Sequence, residues 1–406
     1  MTEYPVRRNT LLLSAALICL SGMIQLVVAV ATTTLVVVTG IEGILGLGPA
    51  IFLSTAALAA LPAGRMMDRR GRIPVLAAGC LAGVAGTSTT ALGCLWDSTP
   101  LVILGFALVG VANGIVLLAR AAAADMVPPE RRPRQISLVL FGAVAGAVLG
   151  PFVFSPIFAG RGLNAHDLVV PWLAAGGFMI AALALVLSVR PDPRTIAQAL
   201  APADAAPPGS TPLAEILRRP GVGTALVAAV ASFGVMVAVM NLTGYVMVGH
   251  GHHQKDIFPV ISAHIVGMYG LVLVVGDLIE RIGRREALIG GLAIMGASTL
   301  GLVWVESSFG TGVVLFGLGL GWSLSYVSAT STLVDLAPAT ERAQLVGFGD
   351  LLSGLAGATL ALLGGVAYSA QGVTTLAVGS SVLALVPALW LAAGRGRPRR
   401  ALEPGG

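Results

Sequence analysis

The chain has 406 residues, of which 56% are hydrophobic and only 11% are charged. Soluble domains carry about 25% charged residues, so this composition excludes a water-soluble fold and predicts a protein embedded in lipid. The formal net charge is +5, and arginine supplies every basic residue except Lys255. The arginines form short clusters between apolar runs, which favours a role in membrane orientation over nucleic-acid binding. Cys19, Cys80 and Cys94 lie inside apolar runs and predict neither a disulfide framework nor a zinc site.

Apolar runs long enough to cross a membrane recur along the whole chain. A spanning helix needs about 20 apolar residues, and such runs must be helical because lipid offers no partners for free backbone groups. We therefore predict an all-α integral membrane protein with twelve transmembrane segments. In chain order the segments are 11–38, 47–66, 74–95, 101–123, 136–157, 170–189, 221–248, 258–279, 287–305, 310–333, 344–368 and 374–393.

The distribution of arginine predicts the orientation of these segments. Cytosolic loops of membrane proteins are enriched in Arg and Lys. With the N-terminus in the cytosol, 21 arginines fall in cytosolic segments, and only Arg161 and Lys255 fall outside. We expect a multi-pass protein of the cytoplasmic membrane with both termini in the cytosol. The preference for arginine over lysine is typical of a high-GC bacterial genome.

A charged sequence in the loop after segment 2 returns in the second half of the chain. Residues 64–72 read Gly-x-x-x-Asp-Arg-x-Gly-Arg, and residues 276–284 repeat the pattern with Glu in place of Asp. The repeat predicts two related halves, each with six segments. They are an N-terminal bundle at 1–189 and a C-terminal bundle at 221–406 that ends in a short basic tail. We interpret residues 190–220, rich in Pro, Ala, Asp and Arg, as a flexible cytosolic linker. The alternative for residues 213–219 within it is an amphipathic surface helix.

Both copies resemble loops of the major facilitator superfamily, the first between helices 2 and 3 and the second between helices 8 and 9. The resemblance covers the chain from about Arg8 to about Leu391. It implies two pseudo-symmetric six-helix bundles with the substrate site between them, near the middle of the membrane. It also implies a monomeric carrier that works by alternating access and needs no cofactor.

By the same resemblance, the repeated motif forms a gate that latches the cytosolic side when the carrier opens outward. A plainer alternative is that the arginines only hold each loop in the cytosol. The gating residues are Gly64, Asp68, Arg69, Gly71 and Arg72 in the first copy, and Gly276, Glu280, Arg281, Gly283 and Arg284 in the second.

Charged residues at the ends of segments 4 and 10 predict a second network at the cytosolic face. Carboxylates and arginines at these short spacings can form ion pairs. We expect the network to support the gate and not to bind substrate. It consists of Asp125, Glu130 and Arg131 in the first half, and Asp335, Glu341 and Arg342 in the second.

Segment 5 carries glycines at every fourth position. Gly142, Gly146 and Gly150 give one smooth helix face for close packing, and Pro151 predicts a kink. This segment resembles the antiporter helix of proton-coupled exporters, although the Gly-Gly pair expected after the proline is absent. Segment 4 also lacks the mid-membrane arginine of many drug exporters. We interpret Arg120, which lies nearer the cytosol, as a snorkelling side chain.

Two ionisable residues inside segments are candidates for proton coupling, because such residues are costly in lipid and are usually functional. Asp350 lies about two turns into segment 11, where the first half has Val139. The alternative is that Asp350 pairs with the loop arginines. His264 lies in segment 8, and imidazole titrates near neutral pH.

The loop after segment 7 is rich in histidine. His250, His252 and His253 follow several methionines of segment 7, and this set of donors suits a soft or borderline metal ion. The alternative is a solvated polar loop. A carrier for a metal ion or metal complex is therefore our second hypothesis.

We predict proton-coupled export of a small apolar or cationic compound, with the lipid bilayer, the substrate and protons as partners. A polytopic membrane enzyme or receptor is a remote alternative, since we find no catalytic constellation. The sequence contains no phosphate-binding loop of the P-loop type, so ATP is not the predicted energy source. Polar residues predicted to line the cavity are Gln25, Thr32, Asn113, Asn241, Tyr245, Tyr269 and Tyr326.

Overall fold

The computed structural model describes residues 4–41, 44–128, 131–158, 164–200, 212–270, 272–337 and 342–394. In these ranges the regular structure is helical, without a strand. The first half contains α1 (Val6–Thr39), α2 (Leu47–Arg70), α3 (Arg72–Leu95), α4 (Thr99–Val116), α5 (Ala119–Ala124), α6 (Arg132–Phe158) and α7 (Ala165–Leu187). Between the halves lie α8 (Pro193–Leu200) and α9 (Leu213–Leu217). The second half contains α10 (Val222–Gly249), α11 (Gln254–Ile265), α12 (Val272–Ile282), α13 (Arg284–Gly301), α14 (Ser308–Asp335), α15 (Arg342–Gln371) and α16 (Val373–Ala392).

The helices confirm the predicted all-α membrane fold. Within the described ranges, nine spans are long and apolar enough to cross a membrane on their own. The remaining segments, 5, 8 and 9, are α6, the α11–α12 pair and α13. Segment 4 is divided into α4 and α5, and segment 8 contains a π-helical turn at Val266–Gly270 between α11 and α12. The sequence pattern did not predict this turn, because one extra residue in a helix leaves the run of apolar residues unbroken.

Each bundle is held together by closely packed helices. In the first bundle α3 packs on α4 and α7, and α1 packs on α6 and α7. In the second, α13 packs on α14 and α16, and α10 packs on α14 and α15. Small residues allow the close approach: a Cβ placed on Gly86 would lie 2.7 Å from the Val109 backbone nitrogen, and one on Gly291 would lie 2.6 Å from that of Ser325.

The second glycine of each copy of the repeated motif makes a turn of one residue. Gly71 separates α2 from α3 with φ of 101°, and Gly283 separates α12 from α13 with φ of 92°. Such positive φ values are open to glycine at little cost. We call the face that carries these two turns the arginine-rich face, and the face that carries His250 and Trp304 the opposite face.

The ends of the segment between the bundles are folded against them. Asp192 accepts hydrogen bonds from the backbone nitrogens of Arg72 (3.0 Å) and Ile73 (2.9 Å), and so caps the first turn of α3. At the other end, Ile216 of α9 is fully buried in an apolar cluster with residues of α10, α14 and α15. The interpretation of 190–220 as a flexible linker therefore does not describe its two ends, and residues 201–211 lie outside the described ranges.

Candidate functional site

The two bundles are in close contact toward the opposite face. Thr32 Oγ1 of α1 donates a hydrogen bond to the Asn241 carbonyl of α10 at 3.2 Å. Gln254 Nε2 of α11 donates to the Ala29 carbonyl of α1 at 3.0 Å. Gln25 Nε2, deeper in α1, donates to Ser262 Oγ at 3.3 Å. These contacts join three helices across the boundary between the bundles.

A second contact between the bundles runs along α2 and α15. A Cβ placed on Gly46, at the start of α2, would overlap the Ala361 carbonyl of α15, and one on Gly365 would overlap the Gly46 backbone. About two turns from Ala361, a Cβ on Gly354 would touch Ala57 at 3.0 Å. Close to the arginine-rich face, no described atom lies within 4 Å of a Cβ placed on Gly64 or Gly347. The two helices are therefore packed toward the opposite face and separated toward the arginine-rich face.

The third contact joins α6 and α11. Phe154 and Phe258 stack with ring centroids 5.5 Å apart, and Phe158 meets the same ring at 5.6 Å. Ser155 Oγ donates to the Lys255 carbonyl at 3.1 Å. We refer to the contacts of α1, α2 and α6 with α10, α11 and α15 as the closed seam.

An ion pair between the two bundles lies where the closed seam ends. Arg120 Nη2 of α5 is 3.6 Å from Asp350 Oδ2 of α15. Asp350 lies one turn from Gly354, toward the arginine-rich face. Asp350 is about 12 Å from the start of its 30-residue helix. Even at this depth, 34% of the Arg120 side chain and 42% of the Asp350 side chain are exposed. An opening between the bundles therefore reaches the pair from the arginine-rich face.

Aromatic rings form one wall beside this ion pair. Tyr326 of α14 donates its hydroxyl to Asp350 Oδ1 at 2.8 Å. Its ring stacks on Trp322 with centroids 4.9 Å apart and an interplanar angle of 13°. Tyr269, on the π-helical turn, meets Trp322 edge-on at 5.8 Å, and Phe233 of α10 meets Tyr326 at 6.0 Å. We call Phe233, Tyr326, Trp322 and Tyr269 the aromatic row.

The predicted cavity residues separate into three groups. Tyr269 and Tyr326 belong to the aromatic row, and Asn113 lies partly exposed in α4, in the turn before that helix ends. Gln25, Thr32 and Asn241 lie in the closed seam. Tyr245 lies toward the opposite face, where it packs edge-on against Tyr368 at 5.7 Å.

The motif arginines pair with the carboxylates at the ends of segments 4 and 10. Arg72 Nε is 2.8 Å from Asp125 Oδ2, and Arg284 pairs with Asp335 in the same way. In each half, the motif arginine and the carboxylate therefore belong to one network, and each of these two pairs lies within a single bundle. Arg69 and Arg281 are exposed, and the Arg69 carbonyl accepts a hydrogen bond from Arg194 at 2.7 Å.

Some predicted residues cannot be placed in this network. Arg131 is exposed, and no ion pair within its predicted group is seen among the described residues. Glu130 and Glu341 lie outside the described residues, as do the side-chain surroundings of Asp68, Gly276, Glu280, Arg342, Gly150 and Pro151.

The glycines of segment 5 pack inside the first bundle. A Cβ on Gly142 would lie 2.6 Å from the Ser14 carbonyl of α1, and a Cβ on Gly146 would lie 2.5 Å from Ser21 Cβ. Ser21 Oγ also donates to the Ala143 carbonyl at 2.8 Å. These glycines hold α6 against α1, next to the closed seam.

The three histidines offered as metal ligands by the second hypothesis have separate surroundings in the structure. The His252 ring nitrogens lie 2.6 Å from the Glu306 carbonyl and 3.1 Å from Ser308 Oγ, so the ring ties this loop to the loop before α14. His253 precedes α11, and its backbone nitrogen donates to Asp256 at 3.2 Å. His250 ends α10 and is exposed. Within the described part of the chain, no group of three His, Cys, Asp or Glu side chains is placed to hold a metal ion.

His264 is fully buried inside the second bundle. Its Nδ1 lies 2.9 Å from the Leu315 carbonyl of α14, away from the ion pair between the bundles. A role for His264 in proton coupling remains a prediction.

Two surface grooves lie within single bundles. One, of about 430 Å³, runs between α11 and α14 and is lined by the exposed Phe309 and Val313. The other, of about 490 Å³, runs between α1 and α6 and is lined by Arg7 and Leu138. Because neither groove is shared by the two bundles, we place the candidate site at the ion pair and the aromatic row.

The sequence analysis missed two parts of this site. Arg120 does not act only as a snorkelling side chain, since its guanidinium pairs with Asp350. These two residues carry opposite charges, and each lies near the predicted cytosolic end of its segment, 4 or 11. This shared position was a signal that they could meet. Trp322 was also missed, although its spacing of four residues from Tyr326 places both rings on one face of α14.

Comparison with known proteins agrees with the fold. The sequence model of the Major Facilitator Superfamily matches residues 11–361 and 260–405. The MFS-type transporter YdeG of Bacillus subtilis is 31% identical over 366 residues, which cover 86% of this chain and 82% of YdeG. The riboflavin transporter RfnT of Brucella anthropi is 28% identical over 308 residues, or 73% of each chain. The partially occluded inward-open structure of the E. coli xylose transporter XylE has a TM-score of 0.73 at 13% identity, covering 96% of this chain and 97% of XylE. The chain therefore belongs to the major facilitator superfamily and is a multi-pass membrane transporter, not an enzyme.

Proposed function

We propose that this transporter exports a small organic compound in exchange for protons, with Asp350 as the proton-carrying group. The observation that carries the proposal is the ion pair of Asp350 with Arg120. It links the two bundles, it lies where the closed seam ends, and it is open to solvent. An ionisable residue at such a depth in a membrane protein is a functional candidate.

The orientation of the protein gives this opening a direction. Arginine-rich loops remain in the cytosol, so we assign the arginine-rich face to the cytosol and the protein to the cytoplasmic membrane. In this conformer the space between the bundles then opens inward, while the closed seam shuts the outer side.

Competition between proton and substrate at Asp350 would couple their transport. The ionised carboxylate is held by the Arg120 guanidinium and the Tyr326 hydroxyl. Protonation removes the charge that attracts Arg120, and a substrate that donates a hydrogen bond to Asp350 needs the ionised form. Proton and substrate thus oppose each other's binding by the same free energy, which is the thermodynamic requirement for exchange.

The repeated motif would act in the outward-open conformer. Arg72 with Asp125, and Arg284 with Asp335, brace the two loops inside their own bundles. The space around Gly64 and Gly347 allows the cytosolic ends of α2 and α15 to approach each other when the outer side opens. We therefore keep the proposal that the motif latches the inner gate.

Two further observations support an organic substrate and its export. The relative RfnT is named for riboflavin, a small organic molecule, and no group of three His, Cys, Asp or Glu side chains among the described residues is placed to hold a metal ion. The glycine-rich face of α6 resembles the antiporter helix of proton-coupled exporters.

Transport by inside-out vesicles tests the proposal. We expect an acid-inside pH gradient to drive accumulation of a probe from a panel of ethidium, proflavine and riboflavin. Asp350→Asn removes the group that exchanges protons and is expected to abolish the gradient-driven part. Glu306→Gln, which changes an exposed carboxylate near the opposite face, is expected to leave it intact. Gradient-driven accumulation at the wild-type rate in Asp350→Asn would contradict the proposal.

A further inference from the structure

The aromatic row stands beside the proposed coupling site, and it points to the class of substrate. We propose that the substrate is a planar heteroaromatic compound that stacks against the row and exchanges hydrogen bonds with Asp350 and Trp322. The proposal rests on the proposed function, because it concerns the same site. It is narrower, because an apolar compound without a flat ring would not meet these requirements.

The first argument is the shape of the row. Trp322 and Tyr326 stack nearly parallel, at 13°, and Phe233 and Tyr269 extend them on either side. Phe233, Tyr326 and Tyr269 are partly exposed and form the open side of the row, while the buried Trp322 packs between the two tyrosines. Aromatic rings favour offset stacking and edge-to-face contact, and both are satisfied by a flat ligand.

The second argument is a buried donor that lacks an acceptor. Only 6% of Trp322 is exposed, and its Nε1 has no hydrogen-bond partner among the described residues. A buried indole usually finds a partner, because an unsatisfied donor loses its bond to water without replacement. A ring nitrogen or carbonyl oxygen of a heteroaromatic ligand would supply that acceptor.

The third argument is the backbone that carries Tyr269. The π-helical turn Val266–Gly270 interrupts segment 8 at the row. Turns of this kind are rare and occur frequently at functional sites, where they redirect a side chain. Here the turn presents Tyr269 edge-on to Trp322.

The fourth argument is the balance of charge. Arg120 and Asp350 carry opposite charges, so the pair together favours neither an anion nor a cation strongly. The Arg120 guanidinium comes from the other bundle, and guanidinium groups stack well on flat π systems. A flat ligand between Arg120 and the aromatic row would contact both bundles at once, as a transported substrate must.

A comparison of flat and non-flat ligands tests this inference. The probes are lumichrome, a neutral planar heterocycle, proflavine, a planar cation, and amantadine, a cage-shaped aliphatic cation. Binding to the detergent-purified full chain is measured by isothermal titration and by the rise in melting temperature. We expect one or both planar probes to bind at least about tenfold more tightly than amantadine. Trp322→Leu is expected to weaken that binding about tenfold, because it removes the unpaired donor and the ring on which Tyr326 stacks.

Matched variants keep the test independent of folding. Trp304→Leu removes an exposed indole near the opposite face and is expected to leave binding unchanged. Tyr269→Leu removes the edge ring without touching Trp322 and is expected to weaken planar probes more than amantadine. It replaces Trp322→Leu if that variant does not elute as a monodisperse species.

Each outcome bears on one proposal. Equal affinity for amantadine and the planar probes, no binding of either planar probe at millimolar concentration, or wild-type affinity in the aromatic variants would overturn the substrate class. In those cases, a loss of gradient-driven transport in Asp350→Asn would still support the coupling role of Asp350. Planar binding that depends on Trp322, combined with normal proton exchange in Asp350→Asn, would instead refute the coupling role and retain the aromatic site.

Discussion

Asp350 is held by two groups of different kinds. Arg120 reaches it across the boundary between the bundles at 3.6 Å, and Tyr326 donates from within the same bundle at 2.8 Å. The shorter bond keeps the carboxylate in place against α14. The longer contact is the one that must break when the bundles move relative to each other.

The ion pair is expected to contribute little to stability, because more than a third of each side chain is exposed and solvent screens the interaction. A double-mutant cycle with Arg120→Gln and Asp350→Asn is expected to give a coupling free energy of about 1 kcal/mol or less. The measurement is unfolding of the purified protein in a single detergent. A cycle of Arg120→Gln with the distant Glu286→Gln is the control and is expected to be additive. A coupling of several kcal/mol would show that the pair is a structural lock and not a readily exchanged contact.

At the scale of elements, the repeated motif is supported by a residue outside it. The carboxylate of Asp192 caps α3 directly after the Gly71 turn. It also accepts a hydrogen bond from the backbone nitrogen of Arg194 at 2.8 Å. The connection between the bundles is thereby fastened to the loop that the proposed gate uses. Movement of that loop would pull on α8, and through it on the rest of the connection.

Replacing Asp192 by Ala is expected to lower the free energy of unfolding by about 1–2 kcal/mol. The change leaves two backbone donors at the start of α3 unpaired, and it removes a negative charge from the positive end of the helix dipole. Thermal or denaturant unfolding measures the loss. Glu215→Ala, in the first turn of α9, is a suitable control because that side chain is exposed and caps no long helix. Equal stability of the two variants would show that the cap is dispensable.

At the scale of the whole molecule, the closed seam depends on contacts that only small residues allow. Gly46 and Gly365 let α2 and α15 meet backbone to backbone. A side chain at either position would prevent this approach. The conformer that opens to the arginine-rich face should therefore lose population when such a side chain is introduced.

Gly365→Val is expected to destabilise the closed seam by more than about 1 kcal/mol, the typical cost of overpacking, and so to shift the balance between conformers by at least about fivefold. Spin labels on His166→Cys and Glu306→Cys, one in each bundle near the opposite face, measure the separation after the native cysteines are removed. We expect the distance distribution to move to longer values. Gly379→Val on α16 is the control, because a Cβ placed there meets no described neighbour within 4 Å. An unchanged distribution in Gly365→Val would contradict the assignment of the outer seal.

The sequence by itself determined the membrane fold, the paired halves and the family. Apolar runs of about 20 residues specify helices in lipid regardless of what surrounds them. The glycines of the repeated motif encode a local backbone turn, as Gly71 and Gly283 show. All of these features depend on residues close together in the chain, so a linear pattern is sufficient to predict them.

Only the tertiary structure decided which polar groups meet. Arg120 and Asp350 are 230 positions apart, and their pairing depends on how two separate bundles pack. Thr32 and Asn241 have polar side chains of the kind predicted to line the cavity, yet they lie in the closed seam. The histidines of the loop are close in sequence, but the His252 ring meets the Glu306 carbonyl while the His253 backbone nitrogen donates to Asp256. A polar side chain in a membrane helix must satisfy its hydrogen bonds within the protein, and the partner that it finds is set by long-range packing.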